Sequence, residues 1–391
     1  SLFYLLLKSK KQALTAIFLF FLSSGPGFIK FIHDLANGYH LNRLIFPNLS
    51  FNYSRILQYD WHTGNFVGGM LLPQRAFLLG MTIAVWVLVG LLYVLQERGR
   101  DRPLSQKKAA VIFFSCALLT GIMVITHAHT FIALSIIVGA IAIVSHRHWV
   151  PFACFYAIPA LFLSITLYSI FIAGGIQNPH FIQWLPGWMA KGGLLSWLVM
   201  WLKIWGLMLP IALVGMVGLA GKPRQTQAFF VGIWGVFAFG NLIEMQPSYW
   251  DNSKLFLWAY FGFTGLAALV LAAIWRQGSH WLGRVDAIGI AMVLTLTGAI
   301  ELVRLQSFEK SHSAHQNPIS YREDMQLAET VRLQTDPSAR FLTATVYNPW
   351  PMLWSSRPVL LGFPNWAKNF GFMIDQVEND IKIMFLSGDQ S

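Results

Sequence analysis

The polar stretch Gln246-Pro-Ser-Tyr-Trp-Asp-Asn-Ser-Lys254 lies between two strongly apolar runs, 228–243 and 255–274. It sets an acid, an amide, a hydroxyl, an ammonium and two aromatic rings side by side, with Glu244 just before them. Pro247 opens a turn, and Asp251, Asn252 and Ser253 can accept the first free N–H groups of the helix that follows. Lys254 then falls in that helix's first turn, where the helix dipole disfavours a cation. Two readings stay open. The stretch is a capped turn with a snorkelling lysine, or Lys254 and the helix N-terminus together bind an anion such as a lipid phosphate.

Other polar groups interrupt the apolar chain in the same way. His127-Ala-His129-Thr130 puts two imidazoles two residues apart in a tight turn. Such a pair suits a divalent metal, a hydrogen bond to a phosphate or sugar, or the cap of a helical hairpin. With no cysteine cluster or HExxH motif to complete a zinc site, phosphate or sugar is preferred to metal. Asp60-Trp-His-Thr-Gly-Asn65 and Leu72-Pro-Gln-Arg75 bracket the end of a long polar and aromatic loop. Arg75 begins an apolar run, where its planar fork suits phosphate or carboxylate, or else touches lipid headgroups. Lys203 sits inside another apolar run, and an ionisable residue there is a functional candidate by default. Its long stem among Trp197, Trp201 and Trp205 favours snorkelling outward. Glu301 and Arg304, three residues apart, are expected to pair with each other.

The elements that hold these groups are membrane spans. The 391 residues are 55% hydrophobic and only 12% charged, with mean hydropathy +0.53. A soluble domain carries about twice that charge. The apolar runs approach the roughly 20 residues needed to cross a bilayer. The expected class is an all-α polytopic membrane protein with about nine complete transmembrane helices over residues 1–304. The spans are expected at 13–24, 77–95, 109–126, between His129 and His146, and at 151–173, 195–219, 228–243, 255–274 and 287–303. A loop at 26–74 holds a short helix, apolar at 28, 31, 32 and 35, that suits the membrane interface. Residues 305–391 read as part of a small extracytoplasmic α/β domain, with helices at 321–334 and 373–386 and strands at 340–346 and 357–362.

The net charge of +11 collects in the loops at 8–11, 97–108, 146–148, 222–224 and 276–284. Those loops alternate with the polar ones, so they are expected at the cytoplasmic face, and the charge is no argument for nucleic acid. The opposite face then carries 26–74, 127–130, 175–194, 244–254 and the tail. Cys116 and Cys154 both fall in apolar spans, so there is no disulfide framework. No P-loop, GxSxG or dinucleotide fingerprint is present. The start, Ser-Leu-Phe-Tyr-Leu-Leu-Leu, reads as the end of an earlier span, so N-terminal spans are expected to be missing.

Taken together, the many short spans, the interfacial helix, the Trp-Asp-Asn-x-Lys stretch before a span and the outward tail resemble the C-fold membrane glycosyltransferases. A poorly characterised bacterial group within that fold is more similar still, at Leu72-Pro-Gln-Arg75, His127-Ala-His129-Thr130, Gln246 to Lys254 and the tail segment 343–362. The resemblance implies an integral protein of the bacterial inner membrane. It implies transfer of a sugar from a polyprenyl-phosphate donor to a lipid-linked glycan or protein acceptor, on the outer face. An outer-loop acid would deprotonate the acceptor hydroxyl, and basic residues would stabilise the leaving phosphate. Carried onto this chain, the acids are Asp34, Asp60 and Asp251, although none sits in an acidic pair of the family's kind. Substrate-binding candidates are Lys254, Asn252, Trp250, Arg75, Gln74, His127 and His129. No cofactor is fixed by the resemblance, and a divalent metal stays open. The alternatives are a transporter or flippase of a lipid-linked sugar, and a non-catalytic envelope assembly component.

Overall fold

A computed structural model describes residues 1–41, 53–59, 61–96, 104–145, 148–277, 281–311, 321–345 and 349–387. The described chain divides into two units: residues 1–173, 183–245 and 249–311, and residues 174–182, 246–248 and 312–391.

The first unit is helical. In chain order it holds α1 (Leu2–Leu7), α2 (Lys10–Phe21), α3 (Phe28–Ala36), α4 (Arg75–Leu95), α5 (Gln106–Thr126), α6 (Ala128–Val144), α7 (Trp149–Phe171), α8 (Gly193–Trp205), α9 (Met208–Val217), α10 (Arg224–Leu242), α11 (Ser253–Gln277) and α12 (Leu282–Ser311). Backbone polar groups have no water to bond in a bilayer, so helices are the economical way across. Among the described residues, five helices are long and apolar enough to cross: α4, α5, α7, α11 and α12. They take up five of the nine expected spans. The others are shorter or interrupted: α2 has 12 residues, α6 has 17 and α10 has 19.

The expected span 195–219 is broken. α8 and α9 meet at 98°. The break falls at Gly206, whose φ of 57° and ψ of −130° lie outside the conformations open to side-chain-bearing residues. Trp205 and Leu207 flank it, so the chain is apolar on either side of a bend that hydropathy cannot see.

One helix organises the unit. The apolar window of α11 is 89% buried, against 22–50% for the other long helices. It is apolar all round, as a helix enclosed by others must be. It packs against α2, α6, α9, α10 and α12. Beside it the aromatic residues Trp201, Trp205, Phe237, Phe256 and Tyr260 lie edge-to-face or tilted with centroids 4.3–6.3 Å apart. Between helices in lipid, such close packing rather than expulsion of water supplies the attraction. Trp61, Trp188, Trp201, Trp205 and Trp258 are buried in the core. Asn241 ties two of them down: its Oδ1 accepts from Trp197 Nε1 at 2.7 Å and Trp201 Nε1 at 3.0 Å.

The second unit holds α13 (Tyr321–Gln334), α14 (Trp350–Trp354), α15 (Pro364–Asn369) and α16 (Asp375–Ser387). The expected strands are corrected here. Among the described residues, 340–346 and 357–362 share a single parallel bridge, Phe341 with Val359. Pro358 removes a donor from one of them. Arg357 is occupied elsewhere, its guanidinium donating to the Arg332 and Thr335 carbonyls at 2.9 and 2.8 Å and closing the C-terminus of α13. The one described sheet belongs to the first unit, a two-residue antiparallel pair of β1 (Gln183–Trp184) with β2 (Ile243–Glu244).

Candidate functional site

The head of α11 is a single turn of 3-10 helix, Tyr249–Asn252, running directly into Ser253. This geometry puts Lys254 in the first turn of the central helix, as its sequence position implies. The Lys254 ammonium donates to the Asp251 carboxylate at 2.5 Å, and both side chains are largely buried, 13% and 4% exposed. The ammonium also lies 5.8 Å from the centroid of the Trp250 ring. Asp251 therefore works as the counter-ion of Lys254 rather than as a free carboxylate.

Asn252 is spent on the turn itself. Its amide nitrogen donates to the carbonyls of Gly240 at 2.9 Å and Ile243 at 2.7 Å, and its Oδ1 accepts from Met245 N at 3.4 Å. It is a strap holding the end of α10 to the start of α11. Trp188 adds a second strap, its indole N–H donating to the Tyr249 carbonyl at 2.9 Å.

The histidine turn is brought to the same place. His127 caps α6 by accepting from Thr130 N through Nδ1 at 3.2 Å, which leaves the ring proton on Nε2. Thr130 Oγ1 lies 2.8 Å from the same Nδ1 and accepts from Trp258 Nε1 on α11 at 3.2 Å. The His127 and His129 ring centroids are 5.8 Å apart. His129 is buried and His127 half-buried.

The Arg75 motif joins through its helix. Phe77 stacks flat on His127 with centroids 4.6 Å apart and an interplanar angle of 9°. Gly80, one turn further along α4, lets the backbone approach, since a Cβ there would stand 2.8 Å from His127 Cβ. Gln74 is the N-cap residue of α4 and makes no capping bond with its side chain. Arg75 follows it in the first turn, with an exposed side chain.

Contacts thus tie the N-terminal ends of three helices together: Phe77 of α4 stacks on His127 at the start of α6, and Thr130 of α6 accepts from Trp258 in the second turn of α11. Each dipole contributes roughly half a positive charge at that end. Lys254 adds a full one, which the Asp251 carboxylate beside it offsets. Several buried polar atoms in the region have no hydrogen-bond partner: His129 Nε2, Ser253 Oγ and Trp250 Nε1. An unpaired buried donor or acceptor costs free energy, so such atoms are kept where something else pairs with them. Chemically, the corner is suited to an anion.

Asp34 belongs to a different cluster. Its Oδ2 accepts from the Tyr53 hydroxyl at 3.1 Å. Burial, with the Asp34 carboxylate next in weight, raises the Tyr53 phenol above its ordinary range. Tyr53 N donates to Glu301 Oε1 at 2.9 Å, and Glu301 accepts from Arg304 at 3.0 Å. The expected pairing of Glu301 with Arg304 is therefore present, but Tyr53 as their bridge to Asp34 had no signal in the sequence. Asp60 lies outside the described residues. Lys203 is exposed and donates to Gln58 Oε1 at 3.3 Å. Glu244, noted only as a neighbour of the polar stretch, is buried with Oε1 unpartnered, and burial raises its pKa. Among the described residues, no three His, Cys, Asp or Glu side chains gather as a metal site.

Compared with family models, curated proteins and solved structures, the chain matches none of them.

Proposed function

We propose that this chain is a membrane glycosyltransferase that moves a sugar from a polyprenyl-phosphate donor to a lipid-linked glycan or protein acceptor. The observation that carries the reading is the convergence of three helix N-termini and Lys254 on one corner, beside buried polar atoms that lack partners. Such a corner stabilises a phosphate more strongly as it gains charge, which is what the departing lipid phosphate does when the sugar–oxygen bond breaks. In this reading Lys254 meets the leaving phosphate and Asp251 positions Lys254. His127 supplies its Nε2–H, and Arg75 guides the phosphate in. Asp34 is the described outer-loop acid available to take the acceptor's hydroxyl proton. The acceptor oxygen then attacks the anomeric carbon, and the phosphate leaves with the bonding electrons.

The full-length protein in native membranes should consume at least one labelled polyprenyl-phosphate sugar from a broad panel. Lys254→Ala should abolish that consumption, Lys254→Arg should retain part of it, and Asp34→Asn should stop transfer while leaving donor binding intact. A folded wild-type protein that consumes no donor overturns the proposal.

A second reading, transport of a lipid-linked sugar, is favoured by the broken pair α8 and α9, since interrupted helices build the sites of many transporters. Donor translocation across proteoliposomes without chemical change would establish it.

A further inference from the structure

The other end of α11 carries a cleft that the proposed transfer does not use. A cavity of about 670 Å³ opens between α2, the last turns of α11 and the start of α12. Both α2 and α12 pack along α11 but touch each other far less, and the gap between them is the cleft.

Its lining is segregated. Ser9, Lys11 and Gln12 come from the beginning of α2, and Arg276 comes from the last turn of α11. Deeper along the same helices the lining turns apolar, with Leu14, Phe18 and Leu271 facing Ile288 and Ala291 of α12. The described lining contains two cations and no acid. Arg276 uses its Nε to bond the Ala272 carbonyl at 2.9 Å, and its side chain is exposed.

Depth says what kind of molecule fits. Lys254 and Arg276 stand at opposite ends of one straight helix, 22 residues or about 33 Å apart at the helical rise. That is close to the roughly 30 Å thickness of a bilayer's hydrocarbon core. The cationic mouth therefore lies at the bilayer boundary opposite the Lys254 corner, and the apolar length of the cleft runs inward from it. A phosphate at a boundary with hydrocarbon below it is the outline of a membrane phospholipid. Basic pockets between membrane helices select anionic headgroups by this arrangement.

We infer that the cleft holds one anionic glycerophospholipid, its phosphate between Lys11 and Arg276 and an acyl chain against Leu14, Phe18 and Ile288. Such a lipid wedges α2 and α12 onto the central helix.

The test is native mass spectrometry of the full-length protein in detergent, titrated separately with phosphatidylglycerol, phosphatidylcholine and inorganic phosphate. The wild type should retain one phosphatidylglycerol that excess phosphatidylcholine does not displace, and inorganic phosphate should not compete. Lys11→Ala with Arg276→Ala should weaken retention by roughly 30-fold, about fivefold for each cation. Ala291→Phe keeps both cations and fills the apolar length, so it should weaken retention independently, with thermal melting as the check on folding. Equal retention of the two lipids by the wild type overturns the inference. So does phosphatidylglycerol binding that survives both sets of substitutions, or displacement by inorganic phosphate, which would mark a headgroup-only anion site.

Discussion

Asp251 with Lys254 and Glu301 with Arg304 are built alike. Each is an acid followed three residues later by a base on one helix, and all four side chains are largely buried. Their surroundings differ. Around Glu301, a loop supplies the Tyr53 backbone N–H to the carboxylate, and the Tyr53 ring covers the Arg304 guanidinium with its centroid 5.2 Å away. Around Lys254, neighbouring polar atoms stay unpartnered and three helix N-termini add positive potential. The first pair ties a loop to α12; the second sits at the head of the central helix. A buried ion pair by itself says little about function, so the contrast rests on the helix ends around the second pair and the loop over the first.

Substitutions can break this comparison. Lys254→Ala should cost about 3–5 kcal/mol by stranding buried Asp251, and should also abolish donor consumption. The double variant Asp251→Asn, Lys254→Met removes both charges, so melting should recover while consumption does not. Recovery of both would make the two pairs equivalent and end the contrast. Arg304→Ala should cost about 3 kcal/mol for the same electrostatic reason, with donor affinity unchanged in whatever protein remains folded.

Smaller changes sharpen the contrast. His129→Leu removes a buried ring nitrogen that has no protein partner, so stability should shift by no more than about 1 kcal/mol, with a gain the favoured direction. Donor affinity, read by titration, should fall about tenfold with it. The smallest effect concerns pH. Burial raises the Glu244 pKa, so the folded state binds its proton more tightly than the unfolded chain does. Stability should then fall as pH rises through the carboxylate range toward the raised value, and Glu244→Gln should flatten that slope. A slope of opposite sign would mean that Glu244 finds a cationic partner.

The helices were legible where composition and length carry the signal. The run around 255–274 is α11, and the amphipathic spacing at 28, 31, 32 and 35 is α3, with Ile29 and Ile32 exposed. The helix expected at 321–334 is present with those ends. What the sequence hid depends on three dimensions. Gly206 bends a run whose hydropathy does not change, and Arg357 turns inward to bond a helix end in a segment that alternates like a strand. At the candidate site, the residue types and the turn were readable, because a lysine after Asp-Asn-Ser must fall in a first helical turn. That His127, Phe77 and Lys254 share one corner was not, since they come from segments 50 to 177 residues apart in the chain. Asn252 shows the converse: a polar residue in the right stretch whose three hydrogen bonds go to the backbone.

Gly80 carries a consequence for anyone reading variants of this protein. It has no side chain to offer a ligand, yet the His127 ring is seated against its bare backbone. In a saturation screen scored on activity, position 80 should group with the charged residues of the corner rather than with the lipid-facing positions beside it on α4. Even alanine there should register as a loss, through a displaced imidazole. A map of intolerant positions would then mark a residue that touches no substrate, and only the geometry would explain why.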